Sequence, residues 1–224
     1  DLSTDEKTAF IDAKMSVTIF DDFPGVDFEM EIFSRYNKGT KPLSPQEIRH
    51  AAYNSRFNTF VNDYVKKVKD EPELKKLANA YNISLDRIQK KKVQEGVFVI
   101  LSILESGINE DYSKSLDYAE EYMKSKKELE KNSPDKAEQS YFDMQRVFEK
   151  FNSLIQAMTK VVEYPFSKEL YGVSSRNYKF QISIAMILAG IFEKYLYNTE
   201  YLENVIIDEN ETEKFVRIIG RTLQ

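Results

Sequence analysis

The sequence contains no cysteine and a single histidine, His50. The lack of cysteine excludes a disulfide framework, a thiolate nucleophile and a Cys-ligated zinc site. His50 could act as a general base near neutral pH, because an imidazole titrates in that range. However, no nucleophile or metal-binding cluster is spaced around it. We therefore predict neither a catalytic residue nor a metal site within this sequence.

Long hydrophobic runs are also missing. The longest, Ile182 to Phe192, is interrupted by Ser183 and has about half of the roughly 20 residues that a membrane-spanning helix needs. The N-terminal residues have neither the basic start nor the apolar centre of a signal peptide. We therefore expect a cytoplasmic protein with no membrane partner. The high proportions of charged residues (31%) and aromatic residues (13%) indicate that the chain folds.

The chain has no overall excess of positive charge, since its formal net charge is -5. This argues against a protein that binds nucleic acid over its whole surface. One stretch, from Tyr64 to Lys92, is nevertheless basic, with nine Lys or Arg against four acidic residues. Within it, Lys90, Lys91 and Lys92 are candidates to face DNA, because phosphate contacts dominate non-specific affinity. A solvated helix face is the more common interpretation of such a run, and we favour it.

The first residues predict a short helix followed by a strand. Ser3 and Glu6 have the spacing of a capping box, so a helix should begin there and end near Asp12. From Lys14 to Phe20 apolar and polar residues alternate, which is the period of a half-buried strand. A lone strand leaves its backbone donors and acceptors unpaired. We therefore expect its partner strands in another part of the protein or in another chain.

The remainder of the sequence predicts helix after helix, so we expect a mainly α fold, a multi-helix bundle with one short N-terminal strand or hairpin. The start of one helix is well marked: Ser44 is the N-cap, Pro45 the first helical residue, and Glu47 completes a capping box. The expected spans are Val26–Tyr36, a helix from Ser44 to Asn54, Arg56–Lys69, Glu73–Tyr81, Ser84–Glu105, Ser113–Lys131, Asp135–Glu163, Asn177–Tyr197 and Glu211–Ile219.

The most regular of these helices is the one from Asp135 to Glu163. Its apolar residues recur in alternating steps of four and three, from Ala137 to Val162. This spacing is typical of a coiled coil, which would provide a surface for a homo-oligomer or another partner. It is equally typical of a long core helix in a bundle, and we favour that interpretation.

A pair of linked motifs precedes and includes the well-marked helix start. In order along the chain these residues are Ile32-Phe33-Ser34-Arg35-Tyr36-Asn37, then a turn with Gly39, then Leu43-Ser44-Pro45-Gln46-Glu47-Ile48-Arg49. The pair resembles a signature of the GmrSD-type restriction family, also catalogued as domain of unknown function 262. The resemblance is close from Ile32 to Arg49. Beyond Val93 it is only a general likeness of helices.

The resemblance implies a bacterial protein of DNA restriction or phage defence, in which a ParB-like nuclease domain with an Asp-Gly-Gln-Gln-Arg motif precedes a helical region. It also implies that a nucleoside triphosphate with magnesium acts in the full-length parent. This sequence contains no Asp-Gly pair, and one histidine cannot supply the His-Asn-His nuclease of many members. We therefore expect residues 1–43 to be the C-terminal remnant of the ParB-like domain and residues 44–224 to be the helical domain. The catalytic half would lie in a missing N-terminal part or a partner subunit.

The same resemblance implies the candidate site residues. Arg35, Asn37 and Arg49 are candidates for binding a nucleotide or phosphate, since a guanidinium group suits both phosphate and carboxylate. Structural alternatives exist for each: an ion pair of Arg35 with Glu31 or Glu47, a turn cap by Asn37, and a hydrogen-bonded clamp between helices for Arg49. The residues expected to support the motif structurally are Phe33, Gly39, Ser44, Gln46 and Glu47.

Three hypotheses for function follow from the sequence. The first is a helical lobe of a nucleotide-dependent restriction or phage-defence protein, inactive alone, whose parent is a nuclease or nucleotide hydrolase. The second is a non-enzymatic helical module for interaction or oligomerisation that uses the stripe from Asp135 to Glu163. The third is a helical DNA-binding domain that uses the basic stretch from Tyr64 to Lys92.

Overall fold

The computed structural model describes residues 3–14, 16–17, 19, 28, 31–32, 35–36, 43–196 and 208–224. These residues form ten α-helices and two short 3₁₀ helices. The α-helices are α1 (Thr4–Ile11), α2 (Pro45–Ala52), α3 (Arg56–Asp70), α4 (Lys75–Ala80), α5 (Leu85–Gln89), α6 (Lys92–Ser106), α7 (Ser115–Asn132), α8 (Pro134–Met158), α9 (Ile182–Leu196) and α10 (Glu209–Thr222). The 3₁₀ helices are Pro72–Leu74 and Lys168–Tyr171. The prediction of a mainly α protein is confirmed.

Helix α6 lies at the centre of the fold. Its sequence is apolar around most of its circumference, and its residues from Val93 to Leu104 are almost all buried. It packs most extensively against α7 and α9 and also contacts α3, α5 and α8. A helix that is apolar on all sides can bury its surface only when other helices surround it. The composition of α6 therefore determines its central position.

Helix α8 confirms the prediction of a core helix. Four residues of its apolar stripe, Met144, Phe148, Phe151 and Ile155, are at most 2% exposed and belong to the main hydrophobic core, whereas Tyr141 is partly buried and packs against that core. These four residues are thus covered by the chain's own helices, as a core helix requires. Oligomerisation through α8 stays a prediction.

The N-terminal region differs from the prediction. Helix α1 has the expected capping box between Ser3 and Glu6, but none of its residues is buried. No strand is assigned to any described residue, including Val17 and Ile19, which are about three-quarters exposed. The predicted strand from Lys14 to Phe20 is therefore not supported. Alternation alone does not make a strand, because a strand also needs a hydrogen-bonding partner, and the described chain provides none.

The predicted helix from Ser84 to Glu105 is wrong in one respect, because it is divided into α5 and α6. Lys91 separates the two helices and adopts the left-handed conformation, with φ of 56°. The backbone change is local and leaves the apolar pattern undisturbed. The predicted helix from Asn177 is also shorter at its start, since α9 begins at Ile182. The expected helix from Val26 to Tyr36 lies mostly outside the described residues.

The C-terminal helix α10 closes the bundle against the second 3₁₀ helix. At Gly220, an added Cβ would lie 2.6 Å from the carbonyl oxygen of Leu170. Glycine is required there because the two backbones approach closely. Among the described helices, none combines the length and the apolar character needed to cross a membrane.

Candidate functional site

The second half of the motif pair forms the start of α2. The Ser44 hydroxyl accepts a hydrogen bond from the backbone N–H of Glu47, and the Glu47 carboxylate accepts one from the N–H of Ser44 at 2.8 Å. Pro45 occupies the first turn. This capping box and N-terminal proline are the arrangement that the sequence predicted. The Ser44 hydroxyl also lies 3.4 Å from the carbonyl oxygen of Lys90, between α5 and α6.

Gln46 and Arg49 bring α2 into the bundle through buried polar contacts. Gln46 is fully buried and Arg49 is 3% exposed. The Arg49 Nε donates to Gln46 Oε1 at 3.0 Å, and its guanidinium forms ion pairs with Glu95 of α6 at 3.4 Å and Glu120 of α7 at 3.9 Å. This set of four residues is called the Arg49 clamp below. Its geometry is that of an interhelical clamp, which is the structural alternative to phosphate binding for Arg49.

A second polar network lies on the neighbouring face of α2. The side-chain amide of Asn62 in α3 lies 2.9 Å from His50 Nε2, and its Oδ1 accepts from Lys91 Nζ at 3.1 Å and Gln94 Nε2 at 3.4 Å. The ammonium of Lys91 can only donate, so Asn62 must direct its oxygen towards Lys91 and its NH₂ towards His50. His50 Nε2 is therefore an acceptor, and the imidazole proton resides on Nδ1.

This network keeps His50 neutral. Burial, together with the positive charge of Lys91 nearby, lowers the pKa of His50 to about 4. A general base is most effective when its pKa lies near the working pH. His50 Nδ1 and Gln94 Oε1 are buried without a hydrogen-bond partner among the described residues. The geometry thus favours a structural role for His50.

The first half of the motif pair is only partly described. Arg35 is exposed and forms an i,i+4 ion pair with Glu31, which is also exposed. Such surface pairs contribute only about 0–1 kcal/mol, so this contact leaves Arg35 available to another partner. Phe33, Asn37 and Gly39 lie outside the described residues. The roles assigned to them, and the binding role of Arg35, stay predictions.

The three consecutive lysines are largely occupied by local contacts. Lys90 forms an ion pair with Asp86, and Lys92 forms one with Glu95. Lys91 donates to Asn62, as described above. These contacts are those of a solvated helix end and an interhelical network. Contact of this stretch with DNA stays a prediction, which the geometry does not favour.

The structure also brings in residues that the sequence did not single out. The two networks are completed by Asn62 in the next helix and by Gln94, Glu95 and Glu120, which lie far along the chain from the motif. One signal was present: Gln94 and Glu95 are polar residues near the start of an otherwise apolar helix. Among the described residues no group of three or more His, Asp or Glu could hold a metal ion.

A separate groove runs between α3 and α8, with a volume of about 710 Å³. Its lining includes the aromatic residues Phe60, Tyr64, Tyr141 and Phe148. Buried Asn152 accepts hydrogen bonds from the hydroxyls of Tyr64 at 2.7 Å and Tyr81 at 2.8 Å. Burial raises the pKa of Tyr64 well above its ordinary value, so the phenol is neutral and donates to Asn152. The groove has the size of a small-molecule pocket, but no motif residue lines it.

In the described residues, these observations define a mainly helical fold in which a capped motif helix is bound to the bundle by buried polar contacts. Comparison with protein-family models, with curated proteins and with solved structures finds no match for the chain.

Proposed function

We propose that this chain is the helical lobe of a nucleotide-dependent restriction or phage-defence protein of the GmrSD-like type. In this proposal the lobe supports an active site whose catalytic motif lies in another part of the parent protein or in a partner subunit. The motif pair from Ile32 to Arg49 supports the proposal, because two linked motifs occur together at the expected separation.

The main structural support for the proposal is the difference in burial between the two motif arginines. Arg49 is buried in the Arg49 clamp, whereas Arg35 is two-thirds exposed and held only by a surface ion pair. The lobe would therefore use Arg49 to fix the motif helix and would present Arg35 to the phosphate groups of a nucleotide. Asn37, two positions further along the sequence, would contribute a second contact.

The sequence upstream of Asp1 in the parent gene tests the family assignment. The proposal expects an Asp-Gly-Gln-Gln-Arg motif in that upstream sequence, or in a gene whose product co-purifies with this chain. Finding no such motif in either place would remove the basis for the proposed catalytic half.

Hydrolysis assays test whether catalysis requires the proposed catalytic half in addition to this helical lobe. The purified chain should neither hydrolyse nucleoside triphosphates with magnesium nor cut DNA alone, and the protein that contains the catalytic half should hydrolyse nucleotide. In that protein, Arg35→Ala should lower hydrolysis without changing the unfolding transition. Hydrolysis by the isolated chain would show that the proposed location of the active site is wrong.

A further inference from the structure

A small cavity lies beside α6, and no residue of the motif pair lines it. It has a volume of about 200 Å³, and its lining includes Arg87 of α5, Lys92 and Glu95 of α6, Ser115 of α7 and Phe180. The Phe180 ring packs closely against Gly96, since an added Cβ at this position would lie 3.3 Å from the ring. The cavity is below the 300–1,000 Å³ typical of pockets for drug-sized ligands. Its size suits one charged group rather than a whole nucleotide.

Arg87 is the most informative residue in this cavity. Its guanidinium lies over the Phe180 ring, with Cζ 5.4 Å from the ring centroid. The side chain is partly buried, and among the described residues its guanidinium has neither a hydrogen bond nor an ion pair within contact distance. Burial lowers the pKa of Arg87, and the negative charge of Glu95 opposes that shift. Phe180 covers one face of the guanidinium, and its N–H donors have no acceptor among the described residues, so an anionic partner could add charge-assisted hydrogen bonds.

Glu95 is the acidic residue in the lining of this cavity, and it offsets the charge of Arg87 only in part. Glu95 already forms ion pairs with Lys92 at 3.1 Å and Arg49 at 3.4 Å. The Glu95 carboxylate is thus paired with Lys92 and Arg49, which lie within ion-pair distance, whereas Arg87 does not. Arg87 and Lys92 against one Glu95 leave the lining with an excess of positive charge. The Ser115 hydroxyl adds a neutral donor at the first residue of α7.

We propose that this cavity binds the phosphoryl group of a small anionic ligand, with Arg87 as its principal contact. The donors favour a phosphoryl group over a carboxylate. The planar guanidinium can satisfy two oxygens, and Lys92 and Ser115 can supply donors to a third oxygen that a carboxylate does not have. None of the candidate binding residues of the motif pair lines this cavity, although Glu95 in the lining forms an ion pair with Arg49. It therefore stands independently of the proposed function.

Equilibrium binding of inorganic phosphate to the full chain tests the proposal. Arg87→Gln should weaken phosphate binding about 10- to 150-fold, the change that corresponds to losing hydrogen bonds to a charged group. Arg87→Lys keeps the charge but loses the planar fork, so its affinity should be intermediate. Acetate at the same ionic strength should bind more weakly than phosphate. Circular dichroism establishes that each variant is folded, and Arg87→Lys provides the comparison if Arg87→Gln does not fold.

Arg146→Gln is the matched control, because Arg146 lies on α8, is half exposed and pairs with Asp143 away from this cavity. It should bind phosphate like the unmodified chain. Three results would overturn the proposal: no phosphate binding by the unmodified chain, equal losses in the Arg87 and Arg146 variants, or acetate binding as tight as phosphate binding.

Discussion

Helices α2 and α8 are attached to the bundle in different ways. Helix α8 buries a continuous apolar stripe against several neighbouring helices. Helix α2 is short, and its buried residues include the polar Gln46 and Arg49 as well as Ala52. Apolar packing is non-directional and tolerates small shifts, whereas ion pairs and hydrogen bonds fix one arrangement. The comparison indicates that α8 supplies stability and that α2 is held in a specific orientation.

The largest expected effect concerns α8. Phe151→Ala removes a fully buried ring that packs near Phe166 and Phe192, so we expect a loss of about 3–5 kcal/mol in the free energy of unfolding. Urea denaturation measures this loss. Phe142→Ala on the same helix is the control, because Phe142 is 57% exposed and its removal should change stability by less than about 0.5 kcal/mol. Equal losses in the two variants would contradict the assignment of the buried stripe.

The next largest expected change in stability distinguishes the two motif arginines, Arg49 and Arg35. Arg49→Ala removes a buried guanidinium that pairs with Glu95, which would keep only its more exposed partner Lys92, so we expect a loss of about 2–3 kcal/mol in the free energy of unfolding. Arg35→Ala breaks only a surface pair and should cost less than about 0.5 kcal/mol. The same urea titration compares both variants. Similar values for the two would remove the distinction between a buried clamp and an exposed side chain.

The His50 network should make stability depend on pH. The pKa of His50 is lowered to about 4 in the folded chain, whereas an unfolded histidine titrates near 6.5. The stabilisation is therefore fully present above pH 6.5 and is lost as the pH falls from about 6.5 towards 4. Because His50 is partly exposed, we expect a discounted loss of about 1–2 kcal/mol.

Thermal unfolding between these pH values measures the effect, with His50→Gln as the comparison. A glutamine oxygen can still accept from Asn62 but does not titrate. The His50→Gln chain should lose less stability than the unmodified chain over this interval. If both lose the same amount, His50 is not the group responsible.

The smallest expected loss of stability comes from removing a helix cap, and the chain has the same Ser–Glu capping box at the start of α2 and of α1. Ser44→Ala removes the capping box of α2, which contributes to the bundle, so we expect a loss of about 1 kcal/mol. Ser3→Ala removes the capping box of α1, a helix with no buried residue, and should leave the global unfolding transition unchanged. Chemical denaturation of both variants makes this comparison. A larger loss from Ser3→Ala would mean that α1 packs on the bundle.

The sequence predicted those features that depend on local pattern. The stripe of α8 followed from helical periodicity, and Ser44, Pro45 and Glu47 marked the start of α2. These features involve residues within a few positions of one another. The division at Lys91 was missed because a single left-handed residue leaves the apolar periodicity intact.

The candidate site could be predicted only in part. The motif identified Gln46 and Arg49, and an interhelical clamp was one of their two interpretations. Their partners Glu95 and Glu120 lie some 46 and 71 positions beyond Arg49 in the printed sequence. Nothing local indicates which of the many acidic residues of this chain would meet Arg49. That choice depends on the packing of α2 against α6 and α7, which a single sequence does not specify.

A double-mutant cycle between Arg49 and Glu95 most directly tests whether this motif arginine binds α2 to the bundle. Free energies of unfolding are measured for the unmodified chain, Arg49→Ala, Glu95→Ala and the double variant. We predict a coupling energy of about 1–3 kcal/mol, since the two side chains are in contact and largely buried. Additive losses, with a coupling below about 0.3 kcal/mol, would contradict the clamp.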